Sequence, residues 1–169
     1  MEFEIKNRWS GAVQFTAEIE AGEGTSFGVK IGLAVRWGWQ NNAVLSGADL
    51  RGAVLSDADL RGADLRGVPK IPNIHQSVYF AASADRALDM STWHTCETTH
   101  CRAGWVVTLA GDAGRALEFG VGTAAAAAFI YLKSDPTIER IPDFYCGNEA
   151  ALADMKRLAE AASQAASGA

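Results

Sequence analysis

The chain has 169 residues, 49% of them hydrophobic and 21% charged, with a formal net charge of −5 at pH 7. That length holds one domain with an ample core, and the composition excludes a disordered chain. The acidic balance argues against direct binding to nucleic-acid phosphates, and no apolar run reaches the roughly 20 residues a membrane span needs.

The opening MEFEIKNRW has acidic residues and no apolar h-region, so a secretory leader is not expected. Three cysteines, Cys96, Cys101 and Cys146, are odd in number and do not suggest a disulfide scaffold, which points to the cytoplasm. Charge is uneven: residues 1–42 carry four basic and five acidic side chains, 43–67 three and four, and 68–169 eight and eleven.

Residues 3–5 and 11–19 read as strands. In the second, Val13, Phe15, Ala17 and Ile19 alternate with Gln14, Thr16 and Glu18. Asn7-Arg8 and Ser10-Gly11 are turn signals that make the pair a hairpin. A glycine-rich loop at 21–28 precedes a predicted helix over 29–40. One of its faces is Val29, Leu33, Arg36, Trp37 and Gln40, and an adjacent stripe is Ile31, Val35 and Trp39. Asn41-Asn42 ends it, because Asn tolerates the left-handed conformation.

Residues 43–67 read AVLSG, ADLRG, AVLSD, ADLRG, ADLRG. Alanine opens each block, and Leu45, Leu50, Leu55, Leu60 and Leu65 hold the centres. In a helix, leucines five apart drift by about 140° per step and share no face. In a strand, an odd period sends them to alternate sides. If all are to point inward, the chain must turn a corner at each block, which is a solenoid.

These blocks resemble the pentapeptide-repeat family, whose pattern is A-(D/N)-L-x-x. The resemblance implies a right-handed quadrilateral β-helix with four blocks per turn, alanine and leucine inside, and Leu45 stacked under Leu65. Five blocks make little more than one coil, so caps are required at both ends. The helix before it, with Trp37 and Trp39, has the apolar bulk for such a lid.

Val68-Pro69-Lys70-Ile71-Pro72 breaks the pattern and starts a linker. Beyond it the sequence predicts an all-helical unit. A helix over 74–84 buries Val78, Ala81 and Ala82, and Ser91 begins another turn. Thr99 caps a helix over 100–110 whose inner face is Cys101, Gly104, Trp105, Thr108 and Leu109. Asp112 caps a brief helix through Glu118, and Thr123 caps one over 124–133, stopped by Asp135-Pro136. Asn148 caps the last, over 149–166, with Leu152, Met155, Leu158, Ala159 and Ala162 inward. The expected architecture is α+β: a hairpin and capping helix (1–42), a β-helical coil (43–67) and a helical subdomain (68–169).

The densest reactive cluster is WHTCETTHC at 93–101. His94, Cys96, His100 and Cys101 invite a zinc reading, with Cys146 or His75 as remote completion. The spacing is poor for a structural zinc site, which pairs ligands two to four residues apart and draws the second pair from a distant segment. A Cys–His nucleophile needs a base and an orienting third group, and nothing in the sequence selects them. Cys101 reads better as a buried apolar residue, and His100 as a neutral imidazole near a helix start. The segment GDAGRALEFGVG at 111–122 lacks the P-loop lysine and does not follow a strand. No enzyme and no cofactor are expected, with zinc as the alternative.

The distinctive element is a scaffold, so an interaction protein is the expected function. Some proteins of the family imitate duplex DNA and occupy the DNA-binding cleft of a host enzyme. This coil is short and its Asp are nearly balanced by Arg, so mimicry would have to recruit the acidic helical part. The resemblance extends to small phage and mobile-element proteins, which suggests an inhibitor of the anti-CRISPR or anti-restriction type. The partner would be a host protein or nucleoprotein complex, with no direct nucleic-acid or membrane binding, and self-association as a homodimer is a further expectation. Candidate partner-binding residues are Asp49, Arg51, Asp57, Asp59, Arg61, Asp64 and Arg66 in the repeats, and Asp135, Glu139, Asp143, Glu149 and Asp154 beyond them. A structural adaptor would instead use the coil's faces, where Val44, Val54, Arg51, Arg61 and Arg66 project.

Overall fold

The computed structural model describes residues 1–7, 9–44, 48–50, 65 and 67–167, the Trp39 side chain excepted. Strand β1 (Glu2–Lys6) pairs antiparallel with β2 (Val13–Glu18), setting Phe3 opposite Ala17 and Ile5 opposite Phe15. Asn7 builds the connection: its Oδ1 accepts from the Trp9 and Ser10 amides, and Gly11 turns at φ 68°. The expected alternation holds for Phe15, Ala17 and Ile19 but not for Val13, which is exposed. A register shift between Ile5 and Lys6 puts Val13 at the mouth of the hairpin, beyond the cover of the helix.

Helix α1 (Phe27–Gln40) packs on both strands. Its buried residues are Ile31, Ala34 and Val35, while Arg36 and Gln40 are exposed, so the core lies under the stripe next to the predicted face. The Trp37 ring stacks on Phe15 with centroids 6.4 Å apart and planes 10° from parallel; the repeat blocks it was expected to cover lie largely outside the described residues. Gly38 permits this closeness, because a Cβ there would lie 2.9 Å from the Phe15 ring. Asn42, at φ 55°, ends the helix as expected.

The hairpin joins the start of the repeats through the backbone. Asn7 bridges Ala48, the Asp49 amide donates to Lys6 O at 2.7 Å, and Gln14 Nε2 donates to Val44 O. Ala48 and Leu50 are buried and Leu65 is half-buried against the core, as the inward assignment of alanine and leucine requires. Leu45, Leu55 and Leu60, the outward Val54, and Arg51, Asp57, Asp59, Arg61, Asp64 and Arg66 lie outside the described residues, as does the expected role of the Trp39 ring.

Beyond the linker the chain is helical with one small hairpin. Helix α2 (Ile74–Ala82) is followed by β3 (His94–Cys96) and β4 (Thr99–His100). Helices α3 (Arg102–Leu109), α4 (Gly111–Val121), α5 (Thr123–Ser134) and α6 (Asn148–Ser167) complete it. Helix α5 is buried from Ala124 through Leu132 without a break, an apolar rod covered by α3 and α4. Helix α2 packs on α6 and α3. Among the described residues no helix is long and apolar enough to cross a membrane.

Several expected helix starts are displaced. No helical turn forms at Ser91, and Thr99 is in β4 rather than at an N-cap. Cys101 caps α3 instead, its Sγ accepting the Gly104 amide at 3.3 Å. The buried residues of α3 are Arg102, Ala103, Gly104, Val106 and Val107, so of the expected face Cys101 and Gly104 are inside, Trp105 and Thr108 are half-buried and Leu109 is exposed. Helix α4 runs past Glu118 to Val121, so Gly122, at φ 86°, makes the corner and Thr123 becomes the first residue of α5. The Asn148 side chain does not cap α6. It clasps the 88–90 backbone, accepting from Met90 N at 2.7 Å and donating to Leu88 O at 3.3 Å. In α6 the buried residues are Ala151, Met155 and Ala159, with Leu152, Leu158 and Ala162 at the margin.

Two ties cross this unit. Arg102, 1% exposed, donates from Nε to Tyr131 Oη at 3.2 Å and from Nη1 to Asp154 Oδ2 at 2.7 Å, joining α3 to α5 and α6. His75 Nε2 meets Asp135 Oδ2 at 2.8 Å, fixing α2 to the end of α5. A buried guanidinium is tolerated only when its charge is compensated, so Asp154 is the condition for Arg102 being inside.

Two outcomes follow. Gly104 abuts the Trp93 carbonyl, where a Cβ would stand 2.0 Å from the oxygen, whereas a Cβ on Gly120 meets nothing within 4 Å. Gly104→Ala should cost about 2–3 kcal/mol, because backbone must move. Gly120→Ala should be neutral or stabilise by about 0.5 kcal/mol; chemical denaturation of the pair checks the contrast. Asp154→Ala should cost about 3 kcal/mol by stranding Arg102. Burial pushes the Asp154 carboxyl up, but hydrogen bonds from Arg102 and Arg157 outweigh it and hold it below the usual range. Its contribution is therefore present above the unfolded carboxylate pKa, about 3.9, and fades as pH falls through the lower folded value. Denaturant midpoints between pH 6 and 3 should fall more steeply for the parent than for the variant.

Candidate functional site

The residues that drew attention in sequence fall into three separate settings. The first is the 93–101 segment, expected to be helical from Thr99 and found instead as the β3–β4 hairpin, in which His94 faces His100 across the strands. Their Nδ1 atoms are 3.0 Å apart and the rings stand nearly perpendicular at 78°. His94 Nε2 lies 2.8 Å from Glu118 Oε1 on α4, and the same oxygen accepts from Thr123 Oγ1 at 2.6 Å. His100 Nε2 lies 3.2 Å from the Glu97 carbonyl, and the His100 ring sits edge-on to Trp105, centroids 4.6 Å apart. Burial and the neighbouring His94 lower the His100 pKa, with the Glu97 carbonyl and Glu118 acting the other way.

The two cysteines of the segment do not join the histidines. Cys101 is buried as the cap of α3, and burial pushes its thiol up. Cys96 is exposed at the tip of the hairpin, where hydrogen bonds from Thr99 and Thr98 bring its thiol down to about 7. Among the described residues no group of three or more His, Cys, Asp or Glu is placed to hold a metal ion. Cys146 is half-buried in the α5–α6 connection and His75 is taken up by Asp135.

The second setting is interior. Asp135 and Asp154, grouped in sequence with the candidate partner-binding acids, hold structure together. Burial pushes the Asp135 carboxyl up, but bonds from Thr137 and His75 outweigh it and leave its pKa lowered. His75 Nδ1 and Arg102 Nη2 are buried without a hydrogen-bond partner among the described residues.

The third setting is the surface of the connection between α5 and α6. Glu139 and Asp143 are exposed there, with Glu149 exposed just beyond in the first turn of α6, and Asp143 Oδ1 accepts the Tyr145 amide at 2.8 Å. Tyr145, itself 45% exposed, lies edge-on to Trp93 with centroids 5.7 Å apart. Asp49 is half-buried beside β1.

Glu118, Thr123 and Trp105, the residues that complete the histidine pair, read in sequence only as a helix end, a helix cap and a core residue. Glu118 lies 24 positions from His94, in a glycine-rich stretch that carries no motif. Only the docking of α4 against the hairpin brings them together.

No curated protein and no solved structure matches the chain. Residues 41–68 match the family model described as pentapeptide repeats (8 copies). That span covers the blocks at 43–67 and the junctions on either side, where Ala48 and Leu50 are inside. Across this segment the chain is a pentapeptide-repeat protein.

Proposed function

We propose that the chain is a non-enzymatic interaction module that acts by occupying a partner protein. The observation that carries this reading is the run of pentapeptide repeats at 41–68, an element that forms a scaffold and supplies no reactive group. In this reading residues 43–67 wind into a short right-handed quadrilateral β-helix. The N-terminal hairpin closes one end, to which its backbone is already bonded at Ala48 and Asp49, and the helical unit covers the other.

The partner is a host nucleic-acid-handling protein or complex in the cytoplasm, and the chain is an inhibitor of the anti-CRISPR or anti-restriction type. The acidic excess of residues 68–169 supports this reading, since a cleft built for phosphates attracts carboxylates. Of the candidate acids in this part, Glu139, Asp143 and Glu149 are exposed and free for that purpose. Asp135 and Asp154 are excluded, because their charge is committed to His75 and Arg102.

Affinity capture from a host lysate, eluted in salt steps, tests the proposal. A single nucleic-acid-handling complex should leave in moderate salt, as a charge-steered contact does. The triple variant Glu139→Lys, Asp143→Lys, Glu149→Lys should weaken that complex about tenfold, while its melting temperature stays within about 2 °C of the parent, as surface changes do. Undiminished binding by the triple variant would remove the acidic surface from the mechanism. Loss of binding with Asp49→Lys alone would move the contact to the repeat end.

A further inference from the structure

We infer that His94, His100 and Glu118 form a one-proton clasp, which fastens the β3–β4 hairpin to α4 only while the three together hold a single proton beyond two neutral imidazoles and a carboxylate. This goes beyond the interaction reading and does not depend on it.

The inference comes from counting hydrogens along a chain of contacts. A carbonyl oxygen only accepts, so His100 must carry hydrogen on Nε2 to reach Glu97 O at 3.2 Å. Across the 3.0 Å gap between the two Nδ1 atoms, one must donate and the other accept. At the far end His94 Nε2 and Glu118 Oε1, 2.8 Å apart, also need one hydrogen between them. Three contacts therefore need three hydrogens, whereas two neutral imidazoles carry two. The missing one makes His94 an imidazolium, or His100 an imidazolium, or Glu118 an acid.

The surroundings choose among these. His100 is 4% exposed and burial disfavours its charged form. Glu118 already accepts from Thr123 Oγ1, which favours its carboxylate. The charge therefore rests on His94, partly open to solvent and against that carboxylate. Other groups facing the pair are the uncharged Trp105 of α3 and Thr123 of α5. On the near side the backbone of Ala87 to Asp89 brackets His100, and the Asp89 carboxylate is turned to Ser91 and Thr95. The thiol of Cys101 is buried as the α3 cap.

The clasp opens on both sides of its window. Remove the proton, and His94 has one hydrogen for two neighbours. Either its Nε2 lone pair then faces the Glu118 carboxylate, or two Nδ1 lone pairs face each other. Add a second proton, and two N–H groups oppose each other across 3.0 Å. Either way one contact of the chain is lost, and the hairpin is held less firmly. Trp93, next to His94 and packed on Tyr145, carries the change to the α5–α6 connection.

Nitrogen-15 NMR of the imidazoles between pH 4 and 9, with hydrogen exchange of the 94–100 amides, tests this on the full chain. His100 should lose its proton first as pH rises and then stay an Nε2–H tautomer, while His94 remains charged. Amide protection should peak between the two midpoints. Glu118→Gln should flatten the protection peak by removing the carboxylate that His94 faces, and His94→Gln should leave His100 titrating in one step with protection no longer peaked. Three results would overturn the clasp: protection flat with pH, a peak indifferent to Glu118→Gln, or a peak that survives His94→Gln. Stoichiometric uptake of zinc ion at both Nδ1 atoms near neutral pH would also overturn it, since the gap would then be a ligand pair rather than a proton site.

Discussion

The burial of α5 on every side is the constraint around which the C-terminal unit is arranged. Five successive alanines, Ala124 to Ala128, give this helix no bulk on any face, so α3 and α4 approach its backbone closely. Phe129, Ile130, Tyr131 and Leu132 then fill the wider space further along. A helix without a polar face cannot be set by amphipathicity, so its position comes from what covers it. The close packing extends outward through glycine. Gly114 lets α4 lie against the Val107 carbonyl, where a Cβ would be 2.4 Å away, and Gly104 does the same for the hairpin at Trp93.

The polar groups that enter this interior are matched with some economy. Arg102 reaches in from the first turn of α3 and meets Tyr131 on α5 and Asp154 on α6. His75 reaches in from α2 and meets Asp135 where α5 ends. Each pair joins elements far apart in the chain and needs its carboxylate ionised, so part of the acidic charge is structural. Of the other acids, Glu139 and Asp143 are exposed on the connection between α5 and α6, and Glu149 is exposed in the first turn of α6. Net charge by itself does not separate these two uses.

The hairpin between α2 and α3 is where local preference and tertiary context part company. Thr98-Thr99 reads as a helix start, and a hydroxyl cap there would have been satisfactory on its own. Backbone bonds from His100 to Ala87 and from Asp89 to His100 instead draw residues 99 and 100 into a strand. That leaves Cys101, a weaker acceptor, to cap the helix that follows. The buried face of α3 keeps Cys101 and Gly104 but turns toward Ala103, Val106 and Val107, leaving Leu109 outside. The strand also turns His100 toward His94, which no helical arrangement of the segment would do.

What the sequence alone determined was local and periodic. The five-residue period at 43–67 identified the repeat family, alternation in 13–19 identified the hairpin strand, and Asn42 and Asp135-Pro136 marked ends that the backbone respects. These are readable because each depends on neighbours a few residues away. Tertiary structure decided which acids are free and which are spoken for, since Asp154 looks the same in sequence whether or not a buried Arg102 faces it. It likewise decided that two histidines would meet Nδ1 to Nδ1 with Glu118 behind one of them. Such pairings cross tens of residues and follow from how helices pack around α5, which depends on the summed shape of many side chains.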